Sequence, residues 1–89
     1  MEDLRKKIDE IDDKMLKLFL ERMAIVKRVA LEKQKLKVDI LDSDRESEVL
    51  SRLTSKVDEK YLAGLYPKFI ITIMEISKLY QELIIKESK

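Results

Sequence analysis

The chain has 89 residues, 42% of them charged, yet a net charge of only +1 and neither histidine nor cysteine. These residues exclude a disulfide framework, a thiolate metal site and the commonest general base, so no metal or cofactor is expected. Interleaved signs, as in the opening MEDLRKKIDEIDDK, describe a solvated helical surface and not a nucleic-acid-binding tail; with no apolar signal core and no run near ~18 apolar residues, a cytoplasmic protein without membrane partners is expected.

Residues 1–35 contain no Gly or Pro. Leu4, Ile8, Ile11, Met15, Leu18, Ile25, Val26 and Val29 recur in steps of three and four, the period of one helix face. Two cations interrupt this stripe, Arg22 four residues after Leu18 and Lys33 four after Val29. About three helical turns separate them, so they point roughly the same way. A helix of this length spans roughly 50 Å, whereas a compact domain of this size has a radius of gyration of about 12 Å. The stripe therefore calls for a partner chain, most simply a two-fold copy.

Residues 36–42, LKVDILD, predict a short ordered loop. Ser43 followed by Glu46, ahead of Val49, Leu50 and Leu53, predicts a capping box and a second helix over about 43–56. Residues 57–66 hold the single Gly, and Pro67 is the single Pro. A third helix either begins near Pro67 and runs to about Lys86, or begins near Asp58 and is kinked at Gly64–Pro67. Its stripe is Ile70, Ile73, Ser77, Tyr80/Gln81 and Ile84. The fold class is all-α, one domain over residues 1–89, with three helices per chain and strands nowhere expected.

An unpaired charge on a buried face costs several kcal/mol, so polar groups on these stripes need partners or a wet pocket. Arg22 and Lys33 meet that description on the first helix. Ser77 and Gln81, four residues apart, meet it on the third. Glu46 shares the face of Val49, Leu50 and Leu53, and Arg5 follows stripe member Leu4. Each also has a plain structural reading. The cations could snorkel, Glu46 could cap its helix, Ser77 could bond back to the carbonyl four residues earlier, Gln81 could cross-link helices, and Arg5 could be solvated. Together, cations from one helix and neutral donors from another, with one carboxylate, suit a small polyanion, such as a dicarboxylate carrying a hydroxyl.

The motifs LRKKIDEIDDKML (4–16), ER (21–22), VALEK (29–33), DSDRESEVL (42–50) and EISKLYQ (75–81) resemble those of the all-helical chorismate mutases, over about residues 4 to 85. The resemblance implies an intertwined homodimer of three-helix chains that rearranges chorismate to prephenate in aromatic amino-acid biosynthesis. That reaction is pericyclic and needs no proton transfer or covalent intermediate. The enzyme has to hold the substrate in a reactive shape and stabilise charge on the ether oxygen. By resemblance, Arg22 pairs with a substrate carboxylate, and Arg5 does so from the other protomer. Lys33 and Gln81 donate to the ether oxygen, with Lys33 also near a carboxylate. Glu46 accepts from the ring hydroxyl with the backbone near Asp42 helping, Arg45 lies at the pocket edge, and Ser77 sits near a carboxylate. Some relatives carry Glu at the Gln81 position. Fused dehydratase, dehydrogenase or synthase activity is not expected. The alternatives are an isochorismate pyruvate-lyase of the same fold and a helical dimerisation module without catalysis.

Overall fold

The absence of any helix breaker is realised as α1, one continuous helix over Glu2–Leu36. The computed structural model describes residues 1–88, and adds α2 over Ser43–Thr54 and α3 over Lys60–Glu87. No strand occurs among the described residues.

Lys37 ends α1 in the left-handed conformation, φ 59° and ψ 40°. Its N–H donates to the Gln34 carbonyl at 3.2 Å, and the Val38 N–H donates to the Lys33 carbonyl at 3.0 Å. These paired bonds satisfy carbonyls that the helix end orphans. They also fold the 37–42 loop back beside the last turn of α1.

The start of α2 corrects the predicted capping box. Asp42, not Ser43, is the N-cap, and its Oδ1 accepts from the Arg45 N–H at 3.0 Å. Ser43 and Asp42 are both good caps, so spacing alone did not choose between neighbours. The shift by one residue places Arg45 where the box would need Glu, and it releases Glu46 from the cap. The helix is also shorter than expected, ending at Thr54.

The start of α3 decides between the two readings in favour of the helix that begins near Asp58. It begins at Lys60, with the Glu59 carboxylate accepting from the Leu62 N–H at 2.6 Å. Pro67 lies inside the helix and does not open it. The missing Pro67 N–H leaves the Ala63 carbonyl without its helical donor, at an end where Tyr61, Leu62 and Leu65 are exposed and water can take the donor's place. Gly64 is also helical, and a Cβ there meets nothing within 4 Å. Gly64→Ala is therefore expected to stabilise the fold by about 0.5–1 kcal/mol, through lost unfolded-state freedom. Thermal unfolding checks this; a lowered Tm would mean that another surface packs on Gly64.

α1 and α3 run in the same direction. Arg22 meets Ser77, and twelve residues further along α1, Gln34 meets Ser88. Their shared core is Met23, Val26 and Ala30 against Ile70, Ser77 and Gln81, all buried. α2 rests on α3 and buries no residue completely. The chain measures 50 × 26 × 14 Å, with a radius of gyration of 16.0 Å against about 12 Å for a compact chain of this length. It is a single layer of helices. The front half of α1 has no cover in this layer: Leu4 is 57% exposed, Ile8 57%, Ile11 55%, Met15 47% and Leu18 62%. Covering side chains of this size contributes about 1.5–3 kcal/mol each, so the stripe is a strong site for association. Among the described residues, no helix is long and apolar enough to cross a membrane.

Candidate functional site

The rear half of α1, the α1–α2 loop, α2 and the middle of α3 enclose one cleft of about 310 Å³. Arg22, Lys33, Asp42, Arg45, Glu46, Ser77 and Gln81 all line it, and Val26, Val29, Ile40, Val49 and Ile70 provide apolar wall. Helical period explains the convergence. Arg22, Val26, Val29 and Lys33 form one face of α1, and Ile70, Ser77 and Gln81 form the facing stripe of α3.

The polar contacts hold these groups in place. Arg22 Nη1 donates to Ser77 Oγ, and the Ser77 hydroxyl donates back to the Ile73 carbonyl at 2.8 Å. The back-bond expected of a mid-helix serine is thus present together with a cross-helix contact. Lys33 Nζ donates to the Ile40 carbonyl at 2.5 Å. An ammonium carries three donors, so this bond directs Lys33 across the cleft and leaves further N–H groups for an anion. Gln81 is 7% exposed, and its Oε1 is buried without a hydrogen-bond partner among the described residues. Buried polar atoms of this kind are ordinarily completed by a ligand, water or a neighbouring chain.

Two charged residues of the cleft were not marked by sequence reasoning, Arg52 and Lys78. Arg52 lies seven residues after Arg45, hence on the same face of α2, and that spacing was available as a signal. Lys78 lies one residue off the α3 stripe, beside Ser77, and approaches Glu46 with Nζ 3.3 Å from Oε2. Arg45, at the rim, pairs with Glu48 at 3.0 Å. The lining therefore carries five cations, Arg22, Lys33, Arg45, Arg52 and Lys78, against the carboxylates Asp42 and Glu46. One carboxylate caps a helix and the other faces Lys78, so the cleft presents net positive charge to a small polyanion.

Arg5 does not join this group within one chain. It is exposed near the start of α1, and the seventeen residues that separate it from Arg22 span about 25 Å of helix.

The family model for chorismate mutase type II matches residues 4–89. The chain is 34% identical over 88 residues to a chorismate mutase of Methanocaldococcus jannaschii, an alignment that covers 98% of this chain and 89% of that protein. It is 29% identical over 84 residues to a bifunctional chorismate mutase/prephenate dehydratase of Aquifex aeolicus, covering 94% of this chain and 22% of that longer protein. No solved structure matches.

Proposed function

The chain belongs to the type II chorismate mutase family, and from that premise we propose that its cleft binds chorismate and rearranges it to prephenate, in a homodimer whose sites use both chains. The observation that carries this reading is the meeting of Arg22, Lys33, Glu46, Ser77 and Gln81, from three helices, on one net-cationic cleft.

In the rearrangement one carbon–oxygen bond breaks as one carbon–carbon bond forms, and no proton moves. What the protein has to supply is a compact substrate shape and charge stabilisation at the ether oxygen. Arg22, held beside Ser77, takes one substrate carboxylate as a fork of parallel donors. Lys33 keeps one N–H on the Ile40 carbonyl and directs others at the ether oxygen and a carboxylate. Gln81 supplies a second, uncharged donor to the same oxygen. Glu46 accepts from the ring hydroxyl, with the Asp42 backbone beside it and Arg45 at the mouth. Apolar wall from Val26, Val29 and Ile70 excludes water and strengthens each of these contacts.

The exposed stripe on α1 supports the dimer. Two copies of α1 paired antiparallel, centred on the stripe Leu4–Val29, would set residue 5 opposite position 28, between Arg22 and Lys33. The partner's Arg5 then reaches a cleft that a chain's own Arg5 cannot. A two-fold pairing places one such arginine at each of two sites.

Gln81 sets the expected pH behaviour. Its amide donates without titrating, so kcat should stay level from about pH 5 to about pH 8, whereas Gln81→Glu should lose activity upward through that range as the acid ionises. A steep loss in the unsubstituted protein over about pH 5–7, with binding and fold unchanged, would remove Gln81 from the ether oxygen. The overall reading is tested by offering chorismate and isochorismate separately. Prephenate from chorismate is expected; pyruvate release from isochorismate, with chorismate untouched, would replace the mutase reading with the lyase.

A further inference from the structure

Two consecutive residues of α3 each reach a different helix at the cleft. Ser77 meets Arg22 of α1, and Lys78 meets Glu46 of α2. The apolar stripe leaves Lys78 out, and the family resemblance, although its motif EISKLYQ spans this position, assigns it no role. Glu46 is free for this contact because Asp42 has taken the N-cap of α2.

A carboxylate is a poor neighbour for a dianionic substrate. Bare, Glu46 would repel the ligand whose hydroxyl it is to hold, and its three side-chain torsions would let it swing into solvent. Lys78 answers both problems. Its ammonium sits 3.3 Å from Oε2, with both side chains 30% exposed, and it leaves Oε1 available as an acceptor. A half-exposed pair of this kind contributes little to stability, so the contact is better explained by what it does to Glu46 than by what it does for the fold.

We propose that Lys78 is a positioning residue for Glu46: it neutralises the carboxylate and fixes its orientation, so that Glu46 accepts from the ring hydroxyl without repelling the substrate's carboxylates. The proposal rests on the chorismate reading. Because the effect is on the bound ground state as well as the transition state, loss of Lys78 acts more on KM than on kcat.

The test is a double-mutant cycle with steady-state kinetics on chorismate. Lys78→Met is expected to raise KM about tenfold and to lower kcat less than about threefold, with circular dichroism and oligomeric state unchanged. Lys78→Arg, which keeps the charge, should return KM to within about threefold of the unsubstituted protein. In a Glu46→Gln background, Lys78→Met should change KM by less than about twofold, because the group it serves is gone. Turnover of the unsubstituted protein together with an unchanged KM for Lys78→Met, or equal losses in the two backgrounds, would overturn the positioning role and leave the mutase reading standing. No turnover of chorismate by the unsubstituted, folded protein would overturn both.

Discussion

Replacing Lys33 with Ala is expected to preserve the helical fold and to lower kcat on chorismate by about 10³-fold. Lys33 is the only ammonium that the end of α1 carries into the cleft, and its bond to the Ile40 carbonyl holds it there. Charge grows on the ether oxygen as its bond to carbon breaks, so a cationic donor at that oxygen acts most strongly in the transition state. Its loss should therefore appear in kcat as well as in kcat/KM. The structural cost is modest: Ala is the best helix former, and a lost bond from a charged donor to one carbonyl costs about 1.5–3 kcal/mol. Circular dichroism and steady-state kinetics on the same preparation separate the two effects. Turnover within a few-fold of the unsubstituted protein would remove Lys33 from the reacting oxygen.

Arg5→Ala should lower kcat/KM by about 10²-fold, although Arg5 is exposed and remote from the cleft of its own chain. The magnitude follows from removing one charged partner of a buried carboxylate. The more telling result comes from mixing Arg5→Ala with Lys33→Ala chains under conditions that exchange subunits. If the partner supplies Arg5, each mixed dimer regains one intact site, because the Arg5→Ala chain keeps its Lys33 and receives Arg5 from the other chain. Random mixing should then restore roughly a quarter of the unsubstituted activity. If Arg5 acted within its own chain, or not at all, no mixed dimer could gain a site. Absence of recovery, with mixed dimers demonstrated by mass spectrometry, would contradict the shared site.

Most of the cleft was legible in the sequence because charge on an apolar stripe is physically anomalous. Arg22, Lys33, Ser77 and Gln81 announced themselves in this way, and the fold brings them to one surface. Arg52 and Lys78 did not, since each occupies a position where a solvated cation needs no explanation. Only the approach of α2 to α3 shows that Lys78 has Glu46 opposite it. Helix ends were less legible than helix faces. Asp42 and Ser43 are adjacent and equally able to cap, and the difference decides whether Glu46 is spent on a cap or free for the cleft. Pro67 reads locally as a helix start, but the cap from Glu59 and the packing of Ile70, Ser77 and Gln81 carry one helix through it. The long stripe on α1 was legible as a demand for a partner. In the single chain that demand is visible in the large apolar side chains from Leu4 to Leu18 that are left in water.

Whether this cleft rearranges chorismate is read out by product identification by proton NMR on chorismate mixed with the purified protein. Prephenate should form far faster than in buffer alone, with no pyruvate released. Chorismate that decays no faster with the folded protein than without it would contradict the assignment.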